Sequence, residues 1–332
     1  MTSCWPRSVA APRRQNGSLM DTAGFDRLLR AVVPESQIRV NEPMAAHSTF
    51  EVGGPADWFV EVQTVDQMRG VIRAARDAGA PLTVLGGGSN VIVADDGVRG
   101  VVVRPRLAEI SSPDRHTVRA EAGVTINGLV RWTVGRGLAG LEAWAGTPGT
   151  VGGAVYGNAH YGGRNISDLI QRVMVTSREG ELAIVAVEDM AFGYDTSRLQ
   201  RTGEILVAAD FAVAPGEPAA LREIARASLA HRKLTQPLSQ PSAGCMFQNP
   251  DPRRDVLPPG LPASAGALID RAGLKGRRLG GASISMVHAN FFVNDGAATA
   301  RDLWRLAELA RTTVRDRFGV DLRNEVVFLG QF

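Results

Sequence analysis

The sequence predicts an α+β protein whose chain divides into two or three lobes. Three observations predict this. Two glycine-rich segments, at 81–90 and 146–154, each follow an apolar run. Directly after the first, Val91, Ile92 and Val93 return to strand, so the context is strand, turn, strand rather than strand, turn, helix. At 332 residues the chain is long enough to bury a substantial core and to split it.

Taken in order, residues 1–19 lack the patterning of the rest and read as a disordered tail, with Met20 as a candidate start. Residues 25–33 have the spacing of a short helix, 47–56 of a loop and 58–62 of a strand. At 65–78, Val65, Met68, Val71, Ile72 and Ala75 fall on one helical face, and Gly79 stops the helix. Short strands follow at 82–85, 91–93, 101–103 and 117–121, then a helix at 125–136 ended by Gly137. Strands at 172–177 and 182–187 flank a turn at Arg178, and a strand at 205–214 is broken by Pro215 and Pro218. The amphipathic helix at 219–232 changes the character of the chain, which places a domain boundary between 215 and 216. Beyond it lie a proline-rich loop at 251–262, helices near 265–272 and 300–318, and a last strand at 325–329.

Composition excludes several classes. Hydrophobic residues at 44% and charged residues at 21% are those of a globular protein, and no apolar run reaches the roughly 18 residues a membrane helix needs. The N-terminus has no continuous apolar segment of the secretory kind. A net charge of +3 is too small to argue for nucleic acid. Cys4 and Cys245 form no disulfide framework, so a reducing cytoplasm is the simplest setting, and no histidine is paired at metal-binding spacing.

Glycine backbone presents its N–H groups with no Cβ in the way, which suits a phosphate that needs several donors. The segment Leu85, Gly86, Gly87, Gly88, Ser89, Asn90 and the segment containing Thr147, Pro148, Gly149, Val151, Gly152, Gly153 and Ala154 therefore read together as a cradle for a large phosphorylated cofactor of flavin type. Neither matches a dinucleotide fingerprint or a P-loop. The other reading is a pair of hairpin turns in which glycine supplies positive φ.

Cys245 sits among small residues in Gln240–Pro250, and a thiol with a pKa of about 8.5 can donate a proton as readily as it can attack. Read locally, it is equally a small buried hydrophobe. Glu325 stands at the mouth of an apolar strand, where partial desolvation would raise its pKa, or where it simply lies exposed on an edge. Lys275, and Asn290 within the stretch 288–291, can bind phosphate or sugar, or be a solvated lysine and a satisfied turn.

Eight segments in order, at 48–56, 85–90, 146–154, 241–250, 265–270, 273–276, 288–291 and Glu325, resemble the UDP-N-acetylenolpyruvoylglucosamine reductase family, also called UDP-N-acetylmuramate dehydrogenase, over about residues 40–330. The resemblance implies an α+β fold, a two-lobed FAD-binding domain of the vanillyl-alcohol-oxidase type at 20–215 and a smaller substrate-binding domain at 216–332. It implies noncovalent FAD, NADPH as reductant and a UDP-sugar enolpyruvyl ether as substrate, in a cytoplasmic, monomeric enzyme of peptidoglycan synthesis that needs neither nucleic acid nor membrane. Cys245 stands where the family carries a proton-donating serine, and Glu325 matches the family's assisting glutamate. Tyr194, Asn249, Lys275 and Asn290 would face the substrate.

Three departures stand out. Asp195 occupies the place of an arginine that steadies the enolate, which makes Arg198, or else Arg201, the expected replacement. Gln248 stands for a lysine, and the loop at 158–163 is shorter than usual and brings in His160. Two other readings remain on sequence grounds: an oxidase of the same fold with flavin attached at His160 or Cys245, and a UDP-sugar-binding paralogue without catalysis.

Overall fold

A computed structural model describes residues 21–332; the tail expected at 1–19, the start at Met20 and Cys4 lie outside the described residues. The fold is α+β, with separate sheets each covered by its own helices.

In the first lobe, Asp21 caps the helix Thr22–Val32 by accepting from the Gly24 N–H at 2.9 Å. Phe25 and Leu29 on one face of that helix meet Trp58, Val60 and Val62 of a sheet, and Met68, Val71 and Ile72 of the helix Val65–Asp77. The sheet runs Ile38–Pro43, Pro55–Val62, Val98–Pro105, Leu82–Val84, with an antiparallel first pair and parallel pairs after it. Its other face, with Phe59 and Val102, packs on Leu85 and Val93, so the strand feeding the first glycine segment and the strand leaving it are both anchored in core.

The second lobe is a five-stranded antiparallel sheet in the order Leu182–Ala186, Ile170–Thr176, Ile205–Ala212, Thr117–Glu121, Ile110–Asp114. Its core collects Ile126, Leu129 and Val130 from the helix Ile126–Gly135 and Val151 and Val155 from the helix Val151–Tyr156. The helix Pro218–Thr235 adds Leu221 to this same core, and the Ser228 hydroxyl donates to the Ala143 carbonyl at 2.6 Å. The helix expected to open the third region thus packs on the second lobe.

A third core, drawn from Ala243 to Val326, surrounds the helices Ala265–Arg271 and Ala300–Phe318 and a small sheet of Arg278–Leu279, Ala282–Ile284 and Phe292–Asn294. Phe50, Val52 and Ile92 of the first lobe share it. The chain then returns to its beginning: Val327–Leu329 pairs in parallel with Val91–Val93.

Three expectations need correcting. The segment at 146–154 is not a loop leaving a strand, since it follows a 3-10 turn at Glu142–Trp144 and enters the helix Val151–Tyr156. The strand expected over 205–214 ends at Ala212, and Ala214–Pro215 forms a separate pair with Leu138–Ala139. The strands Ile38–Pro43 and Ile110–Asp114 and the small sheet at 278–294 have no counterpart in the sequence reading. Each contains Pro, Gly or polar residues that erase strand alternation, which an edge or a short hairpin tolerates.

Candidate active site

The two glycine segments meet. A Cβ on Gly86 would lie 2.6 Å from Thr150 Oγ1, one on Gly87 2.9 Å from the Gly149 Cα, and one on Gly149 2.6 Å from Ser89 Oγ. Backbone touches backbone here, so glycine is a packing requirement as well as a turn former. Gly88, at φ 67°, is held against the His47 carbonyl, and its own carbonyl accepts from the Thr49 N–H at 3.0 Å. Among the described residues, no protein acceptor meets the N–H groups of Gly86, Gly87 or Gly88. The second segment is different. Val151 N–H donates to Val124 O at 2.8 Å, Gly152 N–H to Ala122 O at 2.9 Å, and Gly153 N–H to the capping Thr150 hydroxyl at 3.3 Å. Those donors hold the wall in place, which leaves the N–H groups of the first segment and that of Gly149, which also meets no protein acceptor among the described residues, open to an anion.

A residue that sequence reasoning missed lies beside this wall. Arg232 is 6% exposed; its guanidinium stacks on the Tyr161 ring at 3.7 Å and donates to Thr147 Oγ1 at 2.8 Å, while its Nε has no partner. Burial pulls the guanidinium below the ordinary arginine value, and no carboxylate offsets it. One hydrogen bond to a neutral hydroxyl and one cation–π contact contribute about 1–3 kcal/mol each, against a burial cost of several kcal/mol. A buried arginine left in that deficit fits a ligand that brings negative charge. The orphaned donors of Gly86 to Gly88, the fitted glycine wall and Arg232 together suit the diphosphate of FAD. Only the "Arg-Lys" at the end of an amphipathic helix marked Arg232 in the sequence, and that reads as an ordinary solvated terminus.

Cys245 and Glu325 are brought together by backbone pairing. Cys245 bridges Phe291, Phe247 bridges Asn324, and the Glu325 N–H donates to the Met246 carbonyl at 2.9 Å. The parallel pairing of the last strand then sets Glu325 beside the first glycine segment: Asn90 Nδ2 donates to the Glu325 carbonyl at 3.1 Å, and Val327 N–H to Asn90 O at 3.0 Å. Burial, and after it the charge of Glu325, pushes the Cys245 thiol up to about 12. Burial, with Asp195 adding to it and His160 opposing it, pushes the Glu325 carboxyl well above the usual range. Both groups therefore hold protons at neutral pH, which suits donation and not nucleophilic attack.

Other expected site residues fall in different places. Asn290 is buried, its Oδ1 accepting from Phe247 N–H at 3.0 Å and its Nδ2 donating to Phe247 O at 2.7 Å. It clamps the segment that carries Cys245 and also reaches the Cys245 thiol, so its contacts in the structure are to the protein. Asn249 uses its Oδ1 to accept from Ala265 N–H at 3.0 Å at the start of a helix, and its own N–H donates to the Tyr194 hydroxyl at 3.3 Å. Tyr194 is half-exposed beside these groups, and Lys275 Nζ lies 2.9 Å from Asp270.

Arg198 does not replace the cation. Its Nε and Nη2 lie 2.8 and 3.0 Å from Glu204, a bidentate pair that turns it away from Asp195, and Arg201 is exposed on the next turn. His160 instead approaches Asp195, with Nδ1 3.2 Å from Oδ1, and the His160 ring lies 5.0 Å from that of Tyr194. Donor atoms of His160, Asp195 and Glu325 all lie within 4.8 Å of one another. Asp195 adopts φ 55°, and Gln200 Nε2 donates to its carbonyl at 2.8 Å, so a strained turn is fixed in place.

Comparison with known proteins gives the family. Residues 56–186 match the family model of an FAD binding domain, and residues 236–329 match that of the UDP-N-acetylenolpyruvoylglucosamine reductase C-terminal domain. The chain is 38% identical over 307 residues to the UDP-N-acetylenolpyruvoylglucosamine reductase of Geotalea uraniireducens, covering 92% of this chain and 97% of that one. It is 39% identical to UDP-N-acetylenolpyruvoylglucosamine reductase 2 of Symbiobacterium thermophilum, over 92% and 96% of the two chains. Among solved structures, the UDP-N-acetylenolpyruvylglucosamine reductase of Thermus caldophilus superposes with a TM-score of 0.72 at 33% identity, covering 88% of this chain and 100% of that one.

Proposed function

The chain belongs to the UDP-N-acetylenolpyruvoylglucosamine reductase family, and from that premise we propose how its own residues carry the family's reaction. It is an FAD-dependent oxidoreductase that reduces UDP-N-acetylglucosamine enolpyruvate to UDP-N-acetylmuramate for peptidoglycan synthesis, with NADPH as reductant. Bound FAD would supply what the side chains lack, the hydride chemistry that links NADPH to C3 of the enolpyruvyl double bond.

The first glycine segment and Arg232 would hold the FAD diphosphate, and Gly149 to Ala154 would wall the cofactor site. Hydride arriving at C3 leaves charge at C2 that spreads to the substrate carboxylate. Cys245 holds a proton at Sγ and gives it to C2, and its burial keeps that proton on sulfur until the carbon becomes basic enough to take it. Asn290 fixes the thiol's segment, and Glu325, kept protonated by burial, hydrogen-bonds the developing enolate. Tyr194 and Lys275 offer their polar ends to the sugar and its diphosphate, with Asn249 orienting Tyr194.

The observation that carries this reading is the convergence of Cys245 and Glu325 behind the first glycine segment, achieved by the return of the C-terminal strand. The test is anaerobic stopped flow on the yellow holoenzyme, reduced with NADPH and then mixed with UDP-N-acetylglucosamine enolpyruvate. Rapid return of the oxidised-flavin absorbance is expected, and reduced flavin that persists through the mixing would defeat the reading. We further place the enzyme in the cytoplasm as a monomer, with 20–235 as the cofactor-binding part and the remainder closing over the UDP-sugar. No helix among the described residues is long and apolar enough to cross a membrane. Light scattering across a dilution series tests the monomer.

A further inference from the structure

Each turnover consumes a proton, since hydride to C3 and H⁺ to C2 leave NADP⁺ and a saturated ether. After donating, Cys245 is a thiolate at a partly buried position where desolvation disfavours charge, and it must be protonated again. Glu325 is the adjacent acid, and it too is desolvated. The proton comes in the end from water.

We propose that His160 is the solvent-side end of its path, handing protons to Glu325 and through it to Cys245, with Asp195 orienting the imidazole. The proposal rests on the reading of Cys245 as donor given above. Three features of the geometry carry it. First, His160 is the exposed member of the cluster, with its side chain one-third exposed, whereas that of Asp195 is 12% exposed. Second, the donor atoms of His160 and Glu325 lie within 4.8 Å, a gap that one bridging water or a small turn of the ring closes. Third, Asp195 is built to hold the ring. Its backbone is in the left-handed region, its carbonyl is tied down by Gln200, its Oδ1 faces Nδ1 at 3.2 Å, and its buried Oδ2 meets no protein partner. An aspartate fixed at this cost beside a histidine defines which ring nitrogen carries its proton.

The transfers balance without any redox change. The Cys245 S–H bond breaks as the C2–H bond forms; the thiolate takes the Glu325 carboxyl proton; the Glu325 carboxylate takes one from imidazolium; and neutral imidazole recovers one from water. The groups facing His160 favour its protonated form. The hydrogen bond to Asp195 raises its pKa, burial opposes this, and Glu325 adds to the rise. Tyr194 packs on the ring, and on the paired strand Arg164–Asn165, Asn165 lies opposite His160 while Arg164 lies opposite Tyr161. The loop that carries His160 has no other titratable group in the cluster.

The test compares wild type, His160→Gln, His160→Gly and Cys245→Ala as FAD-loaded proteins in stopped flow between pH 6 and 10. His160→Gln should slow reoxidation of the reduced flavin by UDP-N-acetylglucosamine enolpyruvate at least about tenfold under multiple-turnover conditions and change the shape of its fall toward high pH, which Glu325 then sets without His160. Added imidazole should restore the rate of His160→Gly in proportion to its protonated fraction. A wild-type rate and pH profile in His160→Gln overturns the relay. So does a slow His160→Gly that imidazole fails to restore, because that outcome assigns His160 a packing role. Cys245→Ala separates this inference from its premise: if it reoxidises as wild type, the donor reading itself fails, whereas its arrest beside a normal His160→Gln fails the relay alone.

Discussion

At Cys245 the question is whether sulfur attacks or donates, and burial decides it. A thiol pushed up to about 12 has almost no thiolate at pH 7.5, so alkylation by iodoacetamide should be slow there and should climb only in strongly alkaline buffer. Donation asks only for a proton at the right place. Cys245→Ser should therefore keep turnover within about an order of magnitude of wild type, while Cys245→Ala should lower the reoxidation rate by about 10²–10⁴-fold. Stopped flow reads both, and equal rates for Ser and Ala would remove the residue from the reaction. The role proposed for Cys245 could be read from the sequence because its small neighbours and fixed spacing survive as text. That of Arg232 was not, because its surroundings, Tyr161 and Thr147, come from strands and turns about 70 to 85 residues away. Arg198 was misread for the opposite reason. A local partner, Glu204, reaches it around the αL turn at Gly203, and that turn is set by backbone conformation.

At the scale of elements, the first glycine segment was readable and the second was not. Strand, glycines and strand spell the first directly. The second contains Gly152 and Gly153 inside a helix, where each costs about 1 kcal/mol relative to alanine, and only packing of Val151 and Val155 into the second-lobe core offsets that. The contact between the two predicts a specific failure. Gly87→Ala places its Cβ 2.9 Å from the Gly149 Cα, backbone against backbone, so the segments must part. The purified variant should keep its far-UV circular dichroism and lose most of its FAD, as read from the ratio of absorbance at 450 to 280 nm; full flavin occupancy would show that the contact is not needed. A second element-scale prediction concerns the buried strand Ile205–Ala212. Its Asp210 is 2% exposed, with Arg119 and Arg172 Nε atoms at 2.6 and 2.7 Å. Burial raises the carboxyl, and the two arginines outweigh it and hold the group below the usual range. A depressed folded pKa gives stability that is present above the unfolded value of about 3.9 and is lost as pH falls through the folded one. Both arginines are partly exposed, so Asp210→Ala should cost about 2 kcal/mol in urea unfolding at pH 7, below the full buried-pair penalty. The variant's deficit should shrink toward pH 3. A deficit unchanged with pH would mean that packing, and not charge, is what the substitution removes.

For the molecule as a whole, the decisive contact joins residues more than two hundred positions apart. The alternation of short strands made an α+β fold legible, but parallel pairing of Val327–Leu329 with Val91–Val93 leaves no local trace, because a parallel partner is chosen by the path of the entire intervening chain. That pairing does two things at once: it closes the third core over Phe50, Val52 and Ile92, and it fixes Glu325 against the first glycine segment. The two roles separate in a variant that weakens the strand while leaving Glu325 in place. Val327→Pro removes the N–H that donates to Asn90 O at 3.0 Å and disturbs an outer strand where proline is tolerated sterically better than in a sheet centre. A stability loss of about 1–3 kcal/mol is expected in urea unfolding, from one ladder bond and some frayed packing. FAD should stay bound, since the N–H groups of Gly86 to Gly88 proposed to meet its diphosphate precede the pairing. Reoxidation by substrate should fall at least about tenfold, because a carboxyl displaced by an ångström no longer meets the enolate. If the rate holds while stability falls, Glu325 is positioned by its bond to Met246 alone, and the returning strand serves the fold and not the chemistry.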